Sequence, residues 1–363
     1  MSVTRHEPVA RPKNAAPWSK TPGNIKLAIT IASVVPAAIA LAYLFLTGSP
    51  FIVVLFTVFL PLQILGGAYA GYVAQGARGI FDGLLVVMTF FLGGFVLVML
   101  SSVLISVVIT GSEAMSPHFF LQNGKYVGPT TDLSYGGLGH SIVGTLLIVA
   151  LTSAITVPLG IATAVYITET QGKSRGLVQT LLQAMAGLPS VVAGLFIFSM
   201  LILSGVTSYA GFAGSLALVP LMLPTVARVA EEALRLVPRE LRNGALALGA
   251  PSWRAFFMVT LPAAKSGMVT AILLGVARIV GETAPLLLTI FTSNSTNLNM
   301  FEGGMSALPS FLFLNLNEGT SGSTARAWGA ALAIMIVVLI LFASARFASR
   351  PASLAKQKKR NKK

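Results

Sequence analysis

The sequence predicts an all-α integral membrane protein with about eight transmembrane helices. Hydrophobic residues make up 55% of the 363 residues and charged residues only 10%, whereas soluble domains carry about 25% charged residues. Apolar runs of the roughly 20 residues that a bilayer requires recur along the chain. Because lipid cannot satisfy free backbone N–H and C=O groups, each run is expected to cross as a helix.

Eight apolar runs are long enough to span a bilayer. The predicted spans are 25–47, 51–73, 84–110, 140–167, 178–204, 212–230, 264–290 and 326–347. The run 212–230 is the shortest and is interrupted by Pro220 and Pro224, which membrane helices tolerate better than soluble helices do.

The distribution of Lys and Arg predicts that both termini are cytoplasmic. In this orientation 22 of the 25 basic residues fall in cytoplasmic segments, as the positive-inside rule requires. They include two predicted basic cytoplasmic tails, 1–24 and 348–363. Membrane topology therefore explains the net charge of +14, and nucleic acid binding is not expected. The first apolar run is long enough to span, so no cleaved signal peptide is expected.

The residue types that hold metals or perform catalysis are sparse. The chain has no Cys, and its three His, His6, His118 and His140, are far apart. Neither a G-x-x-x-x-G-K-[ST] phosphate loop nor an H-E-x-x-H metal motif occurs. The sequence therefore predicts no metal, no cofactor and no enzymatic activity, and any ATP hydrolysis would belong to a separate chain.

A long polar segment, 228–262, is expected on the cytoplasmic side. Its composition predicts two short helices around a turn at 249–251, with Ser252 capping the second helix. The alternative is an amphipathic segment that lies on the membrane surface.

Part of this segment resembles the EAA loop of bacterial ABC importer permeases, whose pattern is E-A-A-x-x-x-G followed by I-x-L-P. The matching stretches are Asn243-Gly-Ala-Leu-Ala-Leu-Gly249 and Val259-Thr-Leu-Pro262. In that family the loop forms the coupling helix that docks on a cytoplasmic ATPase. The family usually has Glu where this chain has Asn243, and Glu240, one turn earlier, is a candidate substitute. The resemblance implies ATPase coupling for Asn243, Gly244, Ala245, Gly249, Leu261 and Pro262.

Three further stretches resemble phosphate-specific permease subunits of the PstA type. They are Leu188-Pro-Ser-Val-Val-Ala-Gly-Leu-Phe196, Pro224-Thr-Val-Ala-Arg228 with Glu231-Glu-Ala-Leu234, and Ala277-Arg-Ile-Val-Gly-Glu-Thr-Ala-Pro-Leu286. The resemblance covers roughly residues 84–347 and implies a six-helix ABC importer permease core. Residues 25–73 would then form two additional N-terminal helices.

The resemblance also implies a function, a location and partners. The chain would be the membrane-spanning subunit of an ATP-driven phosphate importer in the bacterial cytoplasmic membrane, working by alternating access. Its partners would be a homologous second permease, a dimer of cytoplasmic ATP-binding subunits, an external phosphate-binding protein and membrane lipid. The outer segments 111–139 and 291–325 either meet that binding protein or only connect spans.

Charged residues within or at the end of predicted spans are the candidate substrate-pathway residues. Arg278 lies about halfway along 264–290, where a charge costs about 2.5–3.5 kcal/mol on insertion scales, and its guanidinium donors suit phosphate oxygens. Glu282 follows at i, i+4, so the two would share a face of a continuous helix. Arg228 is placed to pair with the acids at i+3 and i+4. The alternatives are a structural ion pair for Arg278 and a snorkelling anchor for Arg228.

Three other functions stay open on the sequence. An ABC permease for another oxyanion, sulfate or molybdate, would use the same guanidinium chemistry. An ATPase-independent secondary transporter should show inverted repeats and broken helices, and no repeat is clear. A membrane scaffold or sensor would tolerate the loss of Arg278.

Overall fold

The computed structural model describes residues 23–170 and 172–348, and the regular secondary structure there is entirely helical. The predicted tails 1–24 and 348–363 lie almost wholly outside the described residues. By contacts between residues, the chain divides at Val103, within its third helix, into two compact units.

The N-terminal helices are α1 (Gly23–Thr47), α2 (Phe51–Val54, a π-helical turn Leu55–Phe59, and Leu60–Gln75) and α3 (Gly79–Ser112). The next are α4 (Pro117–Leu121), α5 (Gly139–Glu169), α6 (Lys173–Ala186), α7 (Ser190–Ile197, with a π-helical turn Phe198–Leu203) and α8 (Gly211–Arg235). The last are α9 (Arg239–Ala247), α10 (Ser252–Ala255, a π-helical turn Phe256–Thr260, and Leu261–Ala263), α11 (Lys265–Val280), α12 (Ala284–Thr289), α13 (Leu308–Glu318) and α14 (Ser321–Ala348).

The described helices agree with the predicted number of spans. Five helical runs are long and apolar enough to cross a membrane, and two sharply bent helix pairs raise the number to seven. One of the five, Phe51–Ser112, contains both α2 and α3. These two helices fold back on each other at the turn Gly76–Arg78, so counting them separately gives the eight spans that the sequence predicts.

Glycines allow α2 and α3 to pack at backbone contact. A Cβ atom on Gly71 would lie 1.9 Å from the carbonyl oxygen of Gly79, and one on Gly83 would lie 2.0 Å from that of Gly67. Gly67 and Gly71 are four residues apart, as are Gly79 and Gly83, which is the small-xxx-small spacing of close membrane helix pairs. The glycines therefore fix the register of this hairpin.

Helix α1 uses the same device with slightly larger residues. Its buried positions, Ala28, Ala32, Pro36 and Ala40, recur every four residues along one face. A Cβ on Gly66 of α2 would lie 2.8 Å from the carbonyl oxygen of Ala32. Small side chains thus bring α1 against α2, while many large apolar side chains of this unit are exposed, as lipid-facing residues are.

Helix α8 is the centre of the second unit. Of its 25 residues 14 are buried, and Val226 is wedged between Gly160 of α5 and Gly275 of α11. Two hydroxyls link α5 to α8: Thr152 Oγ1 donates to the Ser215 carbonyl at 3.1 Å, and Ser215 Oγ donates to the Ile148 carbonyl at 3.3 Å.

The extent of α8 corrects the predicted boundary of its span. The helix runs through Pro220 and Pro224 and continues past 230 to Arg235, so the first residues of the predicted loop 228–262 are helical. Hydropathy missed this continuation because it is charged. The two prolines remove backbone donors from a helix that is packed on several sides, where neighbouring helices compensate.

Two other predicted spans are not continuous helices. The span 178–204 divides at 187–189 into α6 and α7, and the chain bends by 100° between these two helices. The span 264–290 ends its first helix at Val280 and resumes at Ala284. In each case a proline, Pro189 or Pro285, removes the N–H that a continuous helix would need and disfavours helical geometry in the residue before it.

The α2–α3 hairpin predicts a steric test. Gly71→Leu forces a side chain into the Gly79 backbone, so the protein should be destabilised by about 1–3 kcal/mol and its thermal unfolding midpoint in detergent should fall. Gly93→Leu is the matched control, because a Cβ at Gly93 of α3 meets nothing within 4 Å. Equal midpoints for the two variants would contradict the backbone contact.

Candidate functional site

Arg278 lies on a face of α11 that this chain leaves uncovered. The opposite face of α11 is buried through Met268, Ala271, Gly275 and Ile279. Arg278 itself is exposed, as is Leu274 one turn before it. No ion pair involves Arg278 among the described residues. The guanidinium is therefore available to a ligand or to a neighbouring subunit.

Glu282 does not share a helix face with Arg278, so that expectation is wrong. Helix α11 ends at Val280, and Glu282 lies in the break before α12, where its N–H donates to the Ile279 carbonyl at 3.2 Å. Spacing of i, i+4 implies a shared face only where the helix continues. The half-buried Glu282 is instead part of an irregular segment close to Arg278 in sequence.

That irregular segment leads into a close contact between two of the motifs that resemble PstA permeases. A Cβ on Gly194, in the motif 188–196, would lie 2.7 Å from Cα of Pro285, in the motif 277–286. The contact packs α7 directly on α12, and Ala193 and Leu286 are buried beside it. The fold thus brings together two motifs that are about 90 residues apart in sequence.

Arg228 is also exposed, and its predicted partners are engaged elsewhere or remain apart from it. It lines a cavity of about 440 Å³ with residues of α6 and α8. Glu231 in this cavity accepts hydrogen bonds from Arg235 at 2.6 Å and from Gln179 at 3.4 Å. No ion pair of Arg228 with Glu231 or Glu232 occurs within the described part of the chain.

The predicted pair of helices around a turn is present in α9 and α10. The turn closes α9 as a Schellman motif: the Gly249 N–H donates to the Leu246 carbonyl at 2.9 Å and the Ala250 N–H to the Ala245 carbonyl at 3.1 Å. Gly249 has φ +84°, a conformation that favours glycine. Ser252 is the first residue of α10 and makes no capping hydrogen bond, so the predicted cap is wrong.

The tip of this helix pair is exposed and apolar. Leu248 is 90% exposed and Trp253 61% exposed, and Asn243 and Gly244, earlier on α9, are also exposed. At the other end of α10, Leu261 packs against the core formed by α5, α8 and α11, while Pro262 is exposed. The segment is thus anchored at one end and presents apolar surface at the other.

An ion pair that the sequence did not suggest connects α9 to the end of α5. The Arg242 guanidinium meets the Glu169 carboxylate with both Nη atoms, and the Nη1–Oε1 distance is 2.7 Å. A two-point contact of this kind fixes orientation as well as distance. Because 73 residues separate the partners in sequence, no local pattern could reveal it.

A buried cation, Arg326, organises the opposite end of the unit. Arg326 of α14 is only 2% exposed, and its Nη2 donates to the carbonyls of Thr131, Asp132 and Tyr135 at 2.8, 2.8 and 3.2 Å. These contacts tie the segment between α4 and α5 to α14, beside a cavity of about 420 Å³. The Ser134 backbone N–H donates to the Asp132 carboxylate, at 2.8 Å, and lowers the pKa of that group.

Comparisons with known proteins identify the family of the chain. The sequence profile described as "Binding-protein-dependent transport system inner membrane component" matches residues 156–350. "Phosphate transport system permease protein PstA 1" of Mycobacterium tuberculosis (strain CDC 1551 / Oshkosh) is 44% identical over 204 residues, which are 56% of this chain and 67% of that protein. "Phosphate transport system permease protein PstA" of Pasteurella multocida (strain Pm70) is 34% identical over 266 residues, 72% of this chain and 92% of that protein.

A solved chain from "Crystal structure of an amino acid ABC transporter with histidines" superposes with a TM-score of 0.47 at 19% identity, covering 58% of this chain and 91% of that one. The family assignment rests on the profile and on the sequence relatives. The profile covers more than half of the chain, and the Pasteurella protein is matched over nearly its whole length. The chain therefore belongs to the family of binding-protein-dependent transport system inner membrane components, and it resembles the PstA permeases within that family.

Proposed function

We propose that this chain is the membrane-spanning permease subunit of an ATP-driven phosphate importer. It carries inorganic phosphate from an external binding protein to the cytoplasm by alternating access. The relatives named as phosphate transport permeases, at 34–44% identity, support the substrate. The observation that carries the proposal is the exposed guanidinium of Arg278, in the last turn of α11, which forms part of a bent candidate span, and without a carboxylate partner among the described residues.

The uncovered face of α11 is assigned to the pathway and to a second, homologous permease. A charge within the membrane is costly unless it faces protein or a water-filled cavity. In this chain alone the Arg278 side chain is exposed, so another subunit is needed to cover it. A second permease opposite this face would enclose a cavity between the subunits. Arg278 would bind the oxyanion there through its donor fork, with Glu282 close by in sequence and Arg228 as a further pathway residue.

The exposed tip of α9 and α10 is assigned to the cytoplasmic ATPase dimer. Leu248 and Trp253 supply apolar surface, and aromatic residues of this kind anchor protein interfaces. The Arg242–Glu169 contact passes motion of the tip to α5, and Leu261 passes it to the helical core. The conformational change driven by ATP hydrolysis would thus be transmitted to the membrane-spanning helices through two contacts, one polar and one apolar.

The first test concerns the substrate. Arg278→Gln removes the charge and should lower ATP-driven phosphate uptake by proteoliposomes that contain the assembled transporter by at least about tenfold. Arg278→Lys keeps the charge without the planar fork and should give intermediate uptake. Lys265→Gln is the control, since it removes an exposed cation from the same helix.

Phosphate uptake near the wild-type rate in Arg278→Gln would show that this residue does not act in the substrate pathway. Uptake of sulfate or molybdate in preference to phosphate would assign another oxyanion. Phosphate uptake without ATP would favour a secondary transporter, a class to which the helix breaks at 187–189 and 281–283 are also suited.

The second test concerns coupling. Gly249→Ala places a side chain at φ +84°, which costs about 1–2 kcal/mol and shifts the turn between α9 and α10. Uptake should fall relative to ATP hydrolysis while the protein still inserts. Gly48→Ala imposes similar strain at φ +60° in the turn between α1 and α2 and should leave the ratio of uptake to hydrolysis unchanged. If both variants keep the wild-type ratio, the turn has no part in coupling.

The third test concerns orientation, with the N-terminus proposed to be cytoplasmic. The chain has no Cys, so single Cys probes have no background. Probes at the exposed Ser174 and Ser252 should be protected from an impermeant thiol reagent in intact cells, and probes at the exposed Ser134 and Thr296 should react. Reaction of the Ser252 probe from outside would reverse the topology and remove the ATPase contact.

A further inference from the structure

A cavity of about 310 Å³ lies at the base of the α9–α10 helix pair and is surrounded by arginines. Three helices contribute them: α6, α8 and α9. The four arginines are Arg175, Arg235, Arg239 and Arg242. The positive-inside rule explains arginines at this end of the spans, but it does not require that they converge on one cavity.

The charges around this cavity are only partly compensated. Arg242 is paired with Glu169, which also lines the cavity, and Arg235 is paired with Glu231. Arg175 and Arg239 have no carboxylate partner within the described residues. Two guanidinium groups with free donor forks therefore face one space, and such groups suit phosphate oxygens.

These two arginines stand where the helix dipole disfavours them. Arg175 lies in the first turn of the 14-residue α6, and Arg239 is the first residue of the 9-residue α9. A cation at a helix N-terminus is destabilising, whereas an anion there is stabilised by the dipole and the free N–H groups. An anion bound between the two helix ends would offset both the dipole and the repulsion between the arginines.

A hydroxyl without a partner supports the same ligand. Thr260 of α10 lines the cavity and is 7% exposed, and its Oγ1 has no hydrogen-bond partner among the described residues. Buried hydroxyls are normally satisfied. A rotation of the Thr260 side chain toward the cavity would let an oxyanion there accept this hydrogen bond together with those of the arginines.

We propose that this cavity is a binding site for a phosphate group on the cytoplasmic side, held by Arg175, Arg239 and the Thr260 hydroxyl. Its source is either inorganic phosphate or the headgroup of an anionic lipid. The bound group would bridge α9 to α6 and so hold the coupling segment in place. If inorganic phosphate is the ligand, the transported product regulates its own import; this step rests on the proposed function, and the cytoplasmic placement rests on the proposed orientation.

The experiment measures binding and not transport. The full chain carrying Arg278→Gln, so that the proposed pathway residue does not contribute, is placed in nanodiscs of zwitterionic phosphatidylcholine and titrated with radiolabelled inorganic phosphate. Adding Arg175→Gln and Arg239→Gln together should weaken saturable binding by about tenfold or more. Adding Arg78→Gln, which removes an exposed arginine from the turn between α2 and α3, should leave it unchanged.

A second arm identifies the source. In nanodiscs with phosphatidylglycerol, native mass spectrometry counts the anionic lipids that stay bound to the chain. Loss of one such lipid in the Arg175→Gln/Arg239→Gln form, without any phosphate binding in the first arm, assigns the site to a lipid headgroup. The form with Arg175→Lys and Arg239→Lys keeps the charges and should recover part of the binding, which separates a binding defect from misfolding.

The proposal is overturned if neither probe depends on Arg175 and Arg239, or if the Arg78→Gln control weakens binding equally. An acidic side chain of a partner would then be the better occupant of the cavity. The experiment measures binding and not transport, so its result can be interpreted even if the chain does not import phosphate. Conversely, if the cavity binds no phosphate group, the uptake test of Arg278 can still be interpreted.

Discussion

The close approach of helix backbones is the constraint on which the rest of this structure depends. Lipid tails are as apolar as the side chains facing them, so helices in a membrane associate mainly by packing and by hydrogen bonds between helices. The chain meets this requirement with small residues at the contacts. Gly71 on Gly79 closes the first hairpin, and Gly160 and Gly275 receive Val226 in the centre of the second unit. The large apolar side chains remain for lipid or for other subunits.

Much of the fold was accessible from the sequence because the bilayer imposes a simple rule on length and polarity. The run 140–167 is contained in Gly139–Glu169, and 326–347 is represented by the span Ser321–Ser344. The polar segment with a turn at Gly249 was also predicted, since glycine readily adopts the positive φ found there. The family resemblance, built on short motifs, is confirmed by the profile match.

Hydropathy failed where charge or proline changed a helix without changing its location. It ended the span at 230, although α8 continues through a charged turn to Arg235. It also joined α11 to α12 across the break at 281–283, and the supposed shared face of Arg278 and Glu282 depended on that continuity. The contacts of Arg242 with Glu169 and of Arg326 with the 131–135 backbone join residues 73 or more positions apart. No periodic signal encodes such pairs, and the helical composition of the segments gives no indication of them.

The contact between Gly194 and Pro285 has a mechanical consequence. A Cβ on Gly194 would fall 2.7 Å from the Pro285 Cα, so the two helix backbones approach closely with no side chain of Gly194 between them. The short helices α7 and α12 thus pack on each other, and the breaks at 187–189 and 281–283 connect them to α6 and α11. A change of direction at either break would therefore act on the other break through this contact. The two motifs, although far apart in the sequence, form the two sides of one helix contact.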